Sequence, residues 1–221
     1  MMNVKLISFT PNPEKIPAMA ARLTHSKTKP EELNRTPEKE LKNVLEYVMN
    51  VGHTSIAEHA NFTFAISGVS RALTHQLVRH RIASYAQQSQ RYVNLNKPDY
   101  VIPPKIARDK KMKKAYEQTM NMIWDQYNRL LGIDIPAEDA RYVLPNATCT
   151  NIVVTMNARS LLNFFELRCC LHAQWEIRAL ANKMLQQVKK VAPTIFKNAG
   201  PACKSKGICP ENRKDCSLYP K

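Results

Sequence analysis

Apolar and polar positions alternate along the chain in two periods, and these predict a few short strands among longer amphipathic helices. Residues 3–9 (NVKLISF) read as a strand, and Asn12 to about Leu23 reads as a helix with Pro13 in its first turn. A polar loop follows. Thr36 and Pro37 then read as N-cap and N1 of a helix running through Leu41, Val44, Leu45, Val48 and Met49, closed by Gly52. Residues 60–66 (ANFTFAI) alternate as a half-buried strand does, and Ser70 can cap a short helix carrying Leu73, Gln76, Leu77 and Arg79. The basic segment that follows reads as a loop. Residues 104–131 read as one long helix with Trp124, Tyr127, Leu130 and Leu131 on its apolar side, and Pro136 opens a shorter helix through Arg141. Strand character returns at 150–156 (TNIVVTM), followed by helices over 158–171 and 174–191 that Pro193 ends. This order predicts an α+β fold, a single domain with a small mixed or antiparallel sheet packed against several helices.

Composition narrows the setting. The 221 residues are 44% hydrophobic, enough for a buried core, and no run of about eighteen apolar residues predicts a membrane span. The start MMNVKLISFTPNPE lacks the basic and apolar regions of a secretory leader, so a cytoplasmic protein is expected. The adjacent pair Cys169 and Cys170 within a helical pattern makes a poor disulfide framework, and reduced thiols are the better reading. With only five glycines there is neither a Rossmann fingerprint nor a P-loop. Any nucleotide must be held by side chains and helix ends.

The net charge of +15, from 33 Lys+Arg against 18 Asp+Glu, is of the kind seen in nucleic-acid binders. Many lysines, however, fall in runs such as Lys110, Lys111, Lys113 and Lys114 that read as a solvated helix face. Arg71, Arg79, Arg81, Arg91, Arg141, Arg159 and Arg168 instead lie beside apolar or small polar residues, as pocket arginines do. The aromatics are not interleaved with the basic cluster as base-stacking platforms would be, apart from Tyr85 and Tyr92.

The densest chemistry lies in Arg79–Arg91, RHRIASYAQQSQR: three arginines, a histidine, two serines and three glutamines, with no carboxylate in the stretch. Guanidinium forks match phosphate and carboxylate oxygens bidentately, and the neutral donors fix orientation, so a phosphorylated ligand is expected. Gly52–His59 (GHTSIAEH) sets a glycine turn before small hydroxyls and two histidines. His53 and His59 lack a third ligand at metal spacing, which favours a cofactor-contacting turn over a metal site. Asn157, Arg159 and Asn163 follow a strand into a helix, where free backbone N–H groups and the helix dipole favour anions. Arg168 stands in the apolar junction LRCCLHAQWEI, where an unpaired cation is costly, so it needs either a structural salt bridge or an anionic or polar ligand. Cys203, Cys209 and Cys216 in the tail are one ligand short of a zinc set, so no metal is expected there.

The run Arg79-His80-Arg81-x-x-Ser84-x-Ala86-x-x-Ser89-x-Arg91 resembles the R-H-R-x-x-S-x-N-x-x-S-x-R signature of the flavin-dependent thymidylate synthases, with Ala86 where the pattern has Asn. VGHTSIAEHANFTF, DARYVLP, NARSLLNFFELR and HAQWEIR also resemble family blocks, in family order, so the resemblance spans about residues 3–200. It implies a synthase domain over 1–200 with a cysteine-containing tail over 201–221. It also implies methylation of dUMP at C5, with methylenetetrahydrofolate as carbon donor, FAD as hydride carrier, NADPH as reductant and no cysteine nucleophile.

By this resemblance, dUMP contacts fall on Gln76, Arg79, Gln87, Gln88, Ser89, Gln90, Arg91, Arg141 and Arg168. Arg168 takes the catalytic role, favouring negative charge on the uracil ring. A guanidinium stays protonated at neutral pH, which rules it out as a general base. FAD contacts fall on Ser55, Arg79, His80, Arg81, Gln87, Asn157, Arg159 and Asn163, with His53 and His172 near the isoalloxazine. The family further implies a homotetramer whose active sites are shared between subunits, with no nucleic-acid or membrane partner. Two other readings stand beside it: a nucleic-acid-binding module, motivated by the charge, and a non-catalytic flavoprotein, motivated by Ala86.

Overall fold

The structure, a computed structural model, describes residues 2–220. In chain order the elements are β1 (Asn3–Phe9), α1 (Lys15–Leu23), α2 (Glu38–Asn50), β2 (Asn61–Ser70), α3 (Arg71–Leu77) and β3 (Ala83–Gln87). Then come α4 (Pro104–Ala107), α5 (Lys110–Gly132), α6 (Ala137–Ala140), β4 (Cys149–Asn157), α7 (Ala158–Arg168), α8 (Trp175–Val191) and α9 (Ala202–Ser205). The strands form one four-stranded antiparallel sheet in the order β1-β2-β4-β3, so the α+β expectation is met and the sheet is antiparallel rather than mixed.

Strand alternation explains which faces are buried. On β2, Phe62, Phe64 and Ile66 point to one face and are buried; on β4, Thr150, Ile152, Val154 and Met156 do the same. Each fully buried Phe or Ile contributes about 1.5–3 kcal/mol by leaving water, which pins the register of both strands.

The chain divides into two compact units. One comprises Ile66–Leu77 and Ala86–Val153 with the N-terminal residues through Asn3. Its core is Leu73 and Leu77 of α3 with Met120, Trp124 and Tyr127 of α5. The Trp124 indole donates to the Leu95 carbonyl at 2.8 Å, which ties the irregular segment after β3 to α5. The other unit comprises Val4–Ala65, Val78–Tyr85 and the chain from Val154 on. Here Phe62 meets Phe196 edge-on at 5.5 Å, and Phe165 and Phe164 continue the aromatic cluster at 6.0 and 5.8 Å. Leu180, Met184 and Val188 of α8 and Leu41, Leu45 and Val48 of α2 complete the unit's buried apolar residues.

Four local expectations need correction. Pro37 is the N-cap of α2, not N1: its ψ of 139° is extended and its carbonyl accepts from Glu40 and Leu41 N–H, while Thr36 ends a preceding 3-10 turn. The 104–131 helix is two helices. Asp109 breaks it, with ψ of 115° and a carboxylate that accepts from Lys111 and Met112 N–H, an N-cap that starts α5 afresh. Residues 83–87, expected in a loop, form the edge strand β3. The helix over 158–171 stops at Arg168. The other signals hold within shorter bounds: α1 starts at Lys15, with Asn12 and Pro13 outside it, α3 ends at Leu77, short of Arg79, and the Ser70 hydroxyl accepts from Leu73 N–H at 3.0 Å to cap α3. Gly52, at φ 86°, closes α2 in a Schellman turn, with His53 N–H to Val48 O and Gly52 N–H to Met49 O. Lys110, Lys111 and Lys114 are exposed, and Lys113 is half-buried beside Glu117.

Candidate functional site

The second unit carries a cleft of about 760 Å³, within the range of small-molecule sites. The junction of β4 and α7 builds one wall. Asn157 leaves the strand in extended geometry and its Oδ1 caps α7 by accepting from Ser160 N–H at 2.8 Å, while Arg159 and Asn163, four residues apart, stand exposed on the same helix face. Opposite chemistry comes from the turn after α2, where Gly52, Thr54 and Glu58 line the cleft, and from Arg81 and Ile82. The Ile82 N–H donates to the Ser160 hydroxyl at 3.1 Å, so the basic segment is tied directly to the start of α7. Lys197 and Lys206 add two cations from the C-terminal segment, and Lys206 pairs with Glu166 at 2.7 Å. Arg159 is paired with Glu58.

Of the ten residues expected to touch flavin, this cleft gathers Arg81, Asn157, Arg159 and Asn163. His53 and Ser55 are exposed on the neighbouring turn, Arg79 is exposed after α3, and His172 is exposed in the turn between α7 and α8. Gln87 belongs to the first unit, where its amide donates to the Thr74 and Thr150 hydroxyls at 3.1 and 3.3 Å.

His80 differs from its neighbours. It is 6% exposed, its ring lies edge-on to Phe164 at 4.9 Å, and its Nε2 accepts from Arg168 Nε at 2.9 Å. Burial first, and the Arg168 charge second, push its pKa from 6.5 down to about 4, so the imidazole is neutral at physiological pH. Arg168 has its own pKa lowered by burial and by Arg79. Among the described residues no carboxylate pairs with Arg168. In place of the salt bridge considered from sequence, its Nε–H meets the His80 imidazole. The next residue, Cys169, is buried and its thiol is pushed up to about 12, which leaves negligible thiolate at neutral pH.

The first unit holds a second polar cluster. Gln88 is fixed to Asn151 twice, through its N–H to the Asn151 carbonyl and through its side-chain oxygen to the Asn151 amide, both at 2.9 Å. The Ser89 hydroxyl accepts from Arg91 N–H at 3.1 Å. Arg91 Nε reaches Glu138 at 2.8 Å, and Arg141 Nε donates to the Glu138 carbonyl at 2.9 Å, so α6 brings two of the expected phosphate arginines to one residue. Gln76 is half-buried on α3, and Gln90 is half-buried between Ser89 and Arg91. Glu138, missed from sequence, supplies the carboxylate that the Arg79–Arg91 stretch lacks, and Arg71, already counted among the pocket arginines, has its pKa lowered by burial and by the Arg141 charge. The proximity of ARYV and EDA to Pro136 was the only available signal for Glu138.

Comparison with known proteins shows the family. The family model for the thymidylate synthase complementing protein matches residues 5–194. The flavin-dependent thymidylate synthase of Geobacter sulfurreducens is 50% identical over 218 residues, covering 97% of this chain and 94% of that protein. That of Sulfurisphaera tokodaii is 46% identical and covers 91% and 79%. The chain belongs to the flavin-dependent thymidylate synthase family. Its fold is also that of a UMP/dUMP methylase, PolB, from Streptomyces cacaoi, solved bound with 5-Br dUMP, at TM-score 0.77 and 23% identity over 89% of this chain and 93% of that one.

Against the family signature, the one departure falls in an informative place. Ala86 lies on the exposed side of β3 with Ser84, whereas Ala83, Tyr85 and Gln87 face the other way, half-buried. The missing Asn amide is therefore absent from a surface rather than from the core of this synthase fold. Among the described residues no cluster of three His, Cys, Asp or Glu could hold a metal, and no helix is long and apolar enough to cross a membrane.

Proposed function

We propose that this chain methylates dUMP to dTMP with FAD as its flavin, NADPH as reductant and methylenetetrahydrofolate as carbon donor. The observation that carries the reading is Arg168: a cation at the end of α7, half-buried, whose Nε–H donates to the neutral imidazole of His80. A full positive charge kept in a desolvated place stabilises negative charge developing on a pyrimidine ring, which makes C5 the better carbon nucleophile. In this reading dUMP is taken by Gln76, Arg79, the segment Gln87–Arg91, Arg141 and Arg168. Arg91 and Arg141, with Ser89, hold its phosphate, and Glu138 holds the two arginines in register.

The cleft beside α7 fits a flavin dinucleotide by its donor set. Arg81, Arg159 and the N-terminal N–H groups of an eleven-residue helix suit a pyrophosphate, and Asn157 and Asn163 supply neutral amides. Ser55, Arg79, His80, Gln87, His53 and His172 complete the assignment. When bound, the flavin supplies the hydride transfer. The protein's part is to orient the ring, hold the phosphates and keep charge on Arg168. A domain over 1–200 with a tail over 201–221, a cytoplasmic location and a homotetramer with shared active sites belong to the same proposal.

The test is direct. Purified protein with FAD, dUMP, methylenetetrahydrofolate and NADPH is expected to form dTMP. Arg168→Ala is expected to retain FAD absorbance yet lose most turnover, about 100-fold or more if it removes one desolvated charge contact to the transition state. A wild-type protein that binds FAD and oxidises no NADPH with dUMP present would favour the non-catalytic reading raised by Ala86. Near-normal turnover in Arg168→Ala would remove that residue from the mechanism.

A further inference from the structure

We propose that His80 is a positioning residue for Arg168: it aims the guanidinium while leaving its positive charge whole. The inference rests on the reading that Arg168 faces the pyrimidine. Arg168 is the last residue of α7, and its long side chain would sample many rotamers at a helix end. The Nε–H to His80 Nε2 bond at 2.9 Å removes that freedom and leaves both terminal amino groups, with four N–H donors, to a ligand. Accepting at Nε2 requires the Nδ1–H tautomer of a neutral ring.

The acceptor is itself held. The His80 ring is buried edge-on against Phe164 at 4.9 Å, and its backbone carbonyl takes the Tyr85 hydroxyl at 2.9 Å. Among the described residues, the charged and titratable groups near it include Arg168, Arg79 beyond Arg168, and the Tyr85 phenol, whose pKa burial raises to about 12 against the nearby Arg81 charge. Nothing in that set favours an imidazolium. A carboxylate would bind Arg168 more tightly than an imidazole does. It would also cancel the charge that a developing anion on the ligand needs, whereas a neutral acceptor gives direction without neutralisation.

Three variants of the full chain separate this role from packing. His80→Gln can place a neutral oxygen where Nε2 stands, His80→Leu fills the space without an acceptor, and His80→Glu keeps an acceptor but adds a negative charge. Turnover, KM for dUMP and bound flavin are measured for each. With FAD supplied at saturation, Leu is expected to lose about tenfold or more in kcat, equal to about 1.4 kcal/mol, with KM for dUMP changed far less. Gln is expected to recover a large part of that loss, and Glu to fall below Gln although it can make the same bond. Leu equal to or better than Gln would assign His80 to packing and overturn the proposal. Should Leu fail to fold, Glu as active as Gln overturns it instead. If Arg168→Ala loses turnover while His80→Leu does not, this inference alone fails; if wild type forms no dTMP, or Arg168→Ala forms it normally, the reading beneath it fails as well.

Discussion

The buried neutral imidazole has a thermodynamic consequence that can be measured without any substrate. An unfolded histidine titrates near 6.5, and His80 in the folded protein titrates at about 4. Above pH 6.5 both states leave it neutral, so it adds no pH dependence. Between 6.5 and 4 the unfolded chain takes up a proton that the native state refuses, so stability falls as pH falls. At about 1.4 kcal/mol per pKa unit, the full interval is worth about 3.5 kcal/mol, and about 2.5 of it is spent between pH 7.5 and 4.5. The assay is reversible urea unfolding of wild type and His80→Gln across that range. Other titrating groups are common to both proteins and cancel in the difference. The wild-type-minus-variant stability is expected to drop by about 2.5 kcal/mol toward pH 4.5, most steeply below pH 6, where a difference of nearly one bound proton gives a slope approaching about 1.4 kcal/mol per pH unit. A difference that stays flat to within about 1 kcal/mol would refute both the low pKa and the burial argument behind it.

Two further outcomes follow from the site's geometry. Glu58→Gln frees Arg159 from an exposed pair worth at most about 1 kcal/mol, so the melting temperature is expected to change little while FAD binds several-fold tighter at low salt; unchanged affinity would take Arg159 away from the cofactor phosphates. Raising the Cys169 thiol from 9.0 to about 12 cuts its thiolate about 1000-fold, so alkylation at pH 8, followed by mass spectrometry, is expected to be slower than that of a free peptide thiol by at least that factor, and a comparable rate would contradict its burial.

The fold was legible where local signals agreed with tertiary need. β2, β4, α7 and α8 carry clean periodicity, and Ser70 and Gly52 punctuate as their chemistry dictates. β3 was not legible because ASYAQ offers small and polar residues on both faces. An edge strand paired on one side needs little hydrophobic drive, and its backbone pairing leaves no trace in composition. The break at Asp109 was visible in principle, since Asp is a strong N-cap, but the apolar period on either side runs through it in phase. Pro37 shows the reverse case. A proline near a helix start is informative, yet whether it is N-cap or N1 depends on a single ψ.

The site was legible in residue types and illegible in pairings. Arg91, Arg159 and Arg168, three of the arginines expected at an anion site, each meet a polar partner, and that partner lies far along the chain: Glu58 is 101 residues from Arg159, Glu138 is 47 from Arg91 and His80 is 88 from Arg168. Those three partners divide the arginines into two kinds. Arg91 and Arg159 are paired with exposed carboxylates, a pairing of low net value that an incoming phosphate can displace or share. Arg168 has a neutral, buried acceptor that cannot be displaced without opening the Phe164 contact. Arginines of the first kind can adjust to a ligand's phosphates, and the second is preset before the ligand arrives. Preset charge is what stabilising a transition state requires, because reorganisation then costs nothing at the moment of reaction. Sequence already singles out Arg168 by its apolar junction; its imidazole partner shows how it can be held there with its charge whole.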